Sequence, residues 1–300
     1  MRLRYEAFWP GFDPKDFFIT KYFNKYILVN DSSYDILICS VFPRNVITNL
    51  NEKGKIIIFN GEHPSYIINF IKMTGIKPDV LLGFTDIEIS VLNQIYGNKL
   101  PLLLYYPLWI LYYDKIFSQE YFDKKNKELE LITFEEFSKK KFSCLINSHD
   151  NNNSRKPIYN YLKENFKQVD CPGRLLNNIN PELVGTSSED KLKFMKEYKF
   201  NICSENRYGY GYLTEKLPQA MDALCIPIYL GCNDSTKINF KVFNKDRVIF
   251  INNNFQELDK IINDDKKIYE IYKKPIFMKD SYKILENYMN LIKTIFLYKI

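Results

Sequence analysis

The stretch Lys199–Cys232, KFNICSENRYGYGYLTEKLPQAMDALCIPIYLGC, decides the fold. It opens on a short apolar strand, Phe200–Cys203, and passes through a polar Gly/Tyr loop, Ser204–Tyr212. A helix follows from Thr214, then a second apolar strand, Ile226–Leu230. Thr214 is an N-cap residue type, and Pro218 falls in the first helical turn, where a missing backbone N–H costs little. A strand–loop–helix unit points unpaired N–H groups and a positive dipole end at whatever occupies its loop. Glu215 and Lys216 stand beside that pole. A lysine there can neutralise a diphosphate, and a carboxylate can accept two hydrogen bonds from a ribose diol. The residues alone mark a nucleotide-site candidate.

The same alternation of strand and helix extends outward in both directions. Arg2–Phe8, Tyr26–Val29, Asp35–Val41, Lys55–Phe59 and Asp79–Leu82 read as strands of a parallel sheet, with helices over Tyr66–Lys72 and Ile87–Ile95. Pro101–Tyr113 is rich in Leu and Tyr and fits either buried core or the wall of a binding site. After a charged segment the pattern resumes. Phe142–Ile146 is a strand, Arg155–Phe166 and Asp190–Tyr198 are helices, and Val248–Ile251 and Phe255–Ile262 add a strand and a helix. The predicted fold class is α/β, as two facing Rossmann-like domains with the active site in the cleft between them. A single larger doubly wound domain is the alternative. The expected boundaries are an N-terminal domain at 1–125, a charged linker at 126–141, a second domain at 142–280, and a terminal helix at 281–300 that packs on or bridges the domains.

Composition removes several classes. With 46% hydrophobic and 16% aromatic residues the chain can bury a large core. The net charge of +6 is scattered among 36 acidic residues rather than gathered on one arm, which argues against nucleic acid as a partner. The six cysteines form no C-x-x-C pair and several sit in apolar strands, so buried free thiols in a reducing compartment are expected. No run of eighteen apolar residues occurs and no signal peptide is recognisable, so a soluble, cytoplasmic protein is expected.

Glu205-Asn206, the Tyr208–Tyr212 loop, Thr214-Glu215-Lys216, and Ile226-Pro227-Ile228-Tyr229 with Gly231 closely resemble the donor-site signature of α-1,3-fucosyltransferases, glycosyltransferase family 10. With no membrane anchor expected, the chain is similar to soluble, bacterial-type or viral forms. The resemblance implies GT-B architecture, with the N-terminal domain on the acceptor side and the C-terminal domain on the donor side. It also implies inverting transfer of L-fucose from GDP-fucose to a glycan hydroxyl, O3 of a GlcNAc or Glc residue. Two other readings stay open: a transferase using another GDP-deoxysugar or acceptor hydroxyl, and a non-catalytic GDP-sugar-binding protein. By the same resemblance Glu215 holds the ribose hydroxyls, Lys216 the phosphates, and Asn206 and Tyr212 the phosphate–sugar region. Ser204 and Arg207 depart from the family's usual residues.

Two further residues complete the candidate set. Glu62 follows a strand in Phe59-Asn60-Gly61-Glu62-His63-Pro64, where Gly61 and Pro64 shape a tight turn. A loop glutamate alone is most often merely solvated, but the family has its Glu base at the matching place. His63 replaces the family's Asn and is the alternative base. Arg155 opens a helix, where the dipole gives a cation no advantage unless an anion neutralises it. The family's arginine at that place contacts the donor diphosphate. No metal and no cofactor are expected, because an Asp-x-Asp motif is absent. Asp86-Ile87-Glu88 comes nearest and reads as a helix start.

Overall fold

A computed structural model of the chain describes residues 1–42, 47–87, 89–97, 99–113, 118–232, 237–251 and 255–300. The first sheet comprises β1 (Arg2–Glu6), β2 (Ile27–Leu28), β3 (Ile36–Cys39), β4 (Lys55–Asn60), β5 (Val80–Gly83) and β6 (Leu102–Tyr105), in the order β2-β1-β3-β4-β5-β6. The second comprises β7 (Lys141–Cys144), β8 (Val169–Asp170), β9 (Tyr198–Ser204), β10 (Ile226–Leu230) and β11 (Ile249–Phe250), in the order β11-β10-β9-β7-β8. All pairings in both sheets are parallel.

Helices fill most of the crossovers that parallel pairing demands. In the first half α1 (Ser65–Thr74) joins β4 to β5 and α2 (Ile89–Tyr96) joins β5 to β6, and α3 (Trp109–Tyr113) follows β6. Next come α4 (Gln119–Leu131) and α5 (Phe134–Ser138), then α6 (Arg155–Asn165) between β7 and β8. Helix α7 (Ser188–Met195) leads into β9, α8 (Lys216–Asp222) joins β9 to β10, and α9 (Asn239–Val242) precedes β11. The chain closes with α10 (Gln256–Ile262), α11 (Asp265–Tyr272) and α12 (Ser281–Lys299).

Two units emerge. One contains Met1–Lys115, Gly209–Tyr212 and Glu286–Ile300, and the other Ile116–Tyr208 and Leu213–Leu285. In the first unit, alternate strand residues serve opposite faces of the sheet. Leu37, Cys39, Ile58 and Leu81 pack with Ile67, Phe70 and Ile71 of α1 and Leu92 of α2. On the other face Phe59 meets Phe17 edge-on, with ring centroids 5.2 Å apart, and Phe18 stacks on Tyr106 at 4.4 Å. Tyr106, Trp109 and Ile110 are fully buried, so this part of the Leu/Tyr-rich segment is core. Each such side chain contributes about 1.5–3 kcal/mol of burial.

The structure corrects several boundaries. The helix expected from Thr214 begins at Lys216. The helix expected at Asp190–Tyr198 starts earlier, because Ser187 and Asp190 form a capping box, and Tyr198 belongs to β9. Strands β6 and β8 were not expected. Residues 126–141 hold the end of α4, all of α5 and the first residue of β7. Helix α5 starts on its own capping box, formed by Thr133 and Glu136. Of the Asp86–Glu88 run, Glu88 lies outside the described residues. All six cysteines are free and buried. Among the described residues no helix is long and apolar enough to cross a membrane.

Candidate functional site

The second sheet reverses its winding between β7 and β9: β8 lies to one side of this pair, β10 and β11 to the other. Ligands of open α/β sheets gather at the carboxyl ends of the strands at such a switch point. The two loops leaving it are tied together. Ser154 Oγ lies 2.6 Å from Ser204 Oγ, and Asn152 Nδ2 donates to the Glu205 carbonyl at 3.1 Å. Asp150 takes up the first N–H groups of α6, accepting from Arg155 N at 3.0 Å and Lys156 N at 2.9 Å. Arg155 itself is 1% exposed. Its guanidinium donates to the carbonyls of His149 and Ser204 and, at 2.7 Å, to Asn206 Oδ1. The structure thus joins Arg155 directly to Asn206 and sets the charge behind the amide.

A second network follows along the same loop. The Glu205 carboxylate is 1% exposed and accepts from Thr214 N at 2.8 Å, Thr214 Oγ1 at 2.6 Å, Lys216 Nζ at 3.2 Å and Tyr229 Oη at 3.4 Å. Thr214 is therefore not the cap of α8. Its hydroxyl serves Glu205, and the N-cap is Glu215, which makes no side-chain cap hydrogen bond. Lys216 Nζ also donates to Thr214 Oγ1 at 2.9 Å and lies 3.5 Å from Glu215 Oε1. Burial would lower the pKa of Lys216, but the Glu205 and Glu215 carboxylates outweigh it and hold the ammonium above its ordinary value. Burial would likewise raise Glu215, and Lys216 with Lys191 brings it below the usual carboxylate value. Lys191 on α7 donates to Gln219 of α8 at 2.7 Å, and burial pushes its own pKa down. At the far end of α8, buried Asp222 pairs with Lys125 of α4 at 2.9 Å and accepts from Tyr121 Oη.

Glu62 and Tyr212 belong to the first unit. Asn60, fully buried at the end of β4, donates its amide to the Glu62 carbonyl at 2.7 Å and accepts from Glu62 N at 3.1 Å. The same amide donates to the Phe84 carbonyl at 3.1 Å. Gly83 permits this approach: it has φ +121°, and a Cβ there would meet Asn60 O at 2.0 Å. The turn leaves Glu62 half-buried. His63 Nδ1 lies 3.0 Å from Ser65 Oγ and 3.3 Å from Ser65 N. Tyr212, 1% exposed, packs edge-on against Phe84 at 4.8 Å and His63 at 5.7 Å, and Tyr105 Oη donates to the Gly211 carbonyl at 2.7 Å.

The structure therefore gathers Arg155, Asn206, Glu215 and Lys216 in one unit, and Glu62, His63 and Tyr212 in the other. Sequence reasoning gave no role to Glu205, Asn60 or Lys191. For Glu205 a signal existed: an acidic residue directly behind an apolar strand is costly unless partners surround it. Among the described residues no group of three or more His, Cys, Asp or Glu side chains is placed to hold a metal ion.

Comparison with known proteins bears on these loops. The family model described as Glycosyltransferase family 10 (fucosyltransferase) C-term matches residues 137–289, half of the chain. Alpha-(1,3)-fucosyltransferase FucT of Helicobacter pylori is 36% identical over 93 residues, 31% of this chain and 18% of that protein. A putative fucosyltransferase of Acanthamoeba polyphaga mimivirus is 33% identical over 139 residues, 42% of this chain and 22% of that protein. The chain thus spans about a fifth of the length of these curated relatives. A crystal structure of α1,3-fucosyltransferase with GDP-fucose matches with a TM-score of 0.62 at 20% identity, over 97% of this chain and 90% of that one. A structure with GDP matches at 0.60 and 18% identity, over 98% and 90%. This likeness establishes the fold, an α/β structure of GT-B type with two Rossmann-like sheets. The family match runs from α5 into α12 and takes in both loops that carry Arg155, Asn206, Glu215 and Lys216, and by that match the chain belongs to glycosyltransferase family 10, the fucosyltransferases.

Proposed function

We propose that this protein transfers L-fucose from GDP-fucose to a glycan hydroxyl, O3 of a GlcNAc or Glc residue, with inversion at the anomeric carbon. The observation that carries the reading is the Lys216 ammonium, held between Glu205 and Glu215 at the switch point of the second sheet, within the stretch that matches the family. A cation kept charged in partly desolvated surroundings is worth more to a departing diphosphate than one in water. Glu215, its side chain 36% exposed and 3.5 Å from the Lys216 ammonium, accepts the ribose hydroxyls. Asn206, oriented by Arg155, meets the phosphate–sugar region, and Tyr212 contributes to the same region.

Glu62 acts as general base. It takes the proton from the acceptor hydroxyl as that oxygen forms its bond to C1 of fucose, and the bond from C1 to the β-phosphate oxygen breaks on the opposite side. The electron pair leaves with GDP, whose added charge Lys216 offsets. Inversion of a β-linked donor gives an α-fucoside. Six free, buried thiols suit a reducing compartment, and on that ground we assign the protein to the cytoplasm.

Calorimetric titration with GDP and UDP, followed by turnover with GDP-fucose and other GDP-deoxysugars on a glycan array, tests the proposal. GDP is expected to bind far tighter than UDP, and the product to carry an α1,3-linked fucose. Equal affinities would overturn the donor assignment. Turnover only with another GDP-deoxysugar would replace fucose while keeping the site.

A further inference from the structure

The Glu205 carboxylate accepts four hydrogen bonds, yet the proposed chemistry gives it no part in the reaction. It lies on the loop after β9 and is sealed from solvent. Its four hydrogen-bond donors come from three places: Thr214 twice, Lys216 at the start of α8, and Tyr229 on β10. A carboxylate buried this deeply persists only when partners satisfy it, and such a network holds its members in fixed positions. We infer that Glu205 is a positioning residue that aims the Lys216 ammonium at the donor diphosphate and keeps it charged. The inference rests on the proposal that this loop takes a nucleoside diphosphate.

Geometry and electrostatics agree. Lys216 Nζ touches both Glu205 and the Thr214 hydroxyl that Glu205 itself orients, so one carboxylate fixes the ammonium directly and through a second residue. Five other titratable groups surround the pair. Glu215 at the head of α8 adds attraction, whereas Arg155 of α6 and Lys191 of α7 add repulsion. Tyr229 on β10 and Cys203 on β9 stay neutral, because burial pushes both well above their ordinary values. With Glu205 neutralised, Lys216 would face two cations, one carboxylate and the full effect of burial. Its pKa would fall, and the ammonium would lose its proton at a lower pH than in the wild type.

The test compares wild type, Glu205→Gln and Glu205→Asp by GDP calorimetry at pH 7, 8 and 9, with Tm recorded for each. Ionisation of the guanine base cancels in the ratio of variant to wild-type Kd. For Glu205→Gln we expect Kd about tenfold weaker at pH 7, with the ratio widening toward pH 9. Glu205→Asp keeps the charge with a shorter reach, and is expected to weaken binding by a ratio that stays constant with pH. A Gln variant within about twofold of wild type, or a Gln ratio that does not change with pH, would overturn the inference. Should Glu205→Gln fail to fold, an Asp variant that equals wild type, or whose ratio widens with pH, would overturn it equally. Absence of GDP binding by wild type would instead overturn the proposed function.

Discussion

The turn after β4 and the loop after β9 both leave parallel strands at their carboxyl ends, yet they secure their key charges by different means. Glu62 is fixed through its main chain, by a neutral amide that grips both its N–H and its carbonyl. Lys216 is fixed through its side-chain ammonium, by a sealed carboxylate and the hydroxyl that carboxylate orients. The first device sets position and leaves the charge to its own surroundings. The second sets position and protonation together. A general base needs a proton affinity near that of its medium, whereas a counter-charge for a diphosphate works best if it never loses its proton.

Glu62→Gln should have the largest effect, because it removes the base and leaves the Asn60 grip intact. Turnover is expected to fall by about 10²–10⁴ with GDP affinity unchanged, read by single-turnover rates and calorimetry. Near-normal turnover would break the comparison on its first side and move the base to His63. Lys216→Ala comes next. Loss of one charge-assisted contact should weaken GDP binding by roughly ten- to a hundredfold. Unchanged GDP affinity would show that the second device serves something else.

Asn60→Ala sharpens the contrast between gripping a backbone and gripping a charge. It should cost about 1–3 kcal/mol of stability through the carbonyls and N–H left unmatched. Misplacement of the glutamate should lower kcat about tenfold with GDP affinity retained. A drop in GDP affinity as large as that in kcat would mean that the turn does not act alone. The smallest effect is expected from EDTA, since Lys216 supplies the charge that a metal would otherwise bring. Activity within about twofold is expected, and full loss restored by a stoichiometric divalent ion would show that the ammonium is insufficient.

Much of the fold was legible because parallel strands are buried on both faces and read as unbroken apolar runs. Ile226–Leu230 was read with its observed ends, and Lys55–Asn60 to within one residue. β6 escaped because Leu102–Tyr105 sits in a longer Leu/Tyr-rich segment with prolines on both sides, where periodicity cannot separate strand from helix. The cap at Thr214 was misread for a different reason. Its local pattern suits an N-cap, but a carboxylate nine residues earlier took both its amide and its hydroxyl. The same limit hid the parts played by Glu205 and Asn60. Each depends on a partner brought close only by folding, Tyr229 for one and Phe84 for the other. Residue types announce the charged groups of a site; the residues that hold them announce themselves only in three dimensions.

Helix α8 is moored at both ends, to Glu205 through Lys216 and to α4 through the pairing of Asp222 with Lys125. A segment anchored this way has little conformational freedom left to lose when a ligand arrives. Association at this helix should then be governed by encounter rather than by rearrangement, quickened by the attraction between a cation and an anion and slowed as added salt screens it. Residence time, by contrast, should answer to the contacts alone.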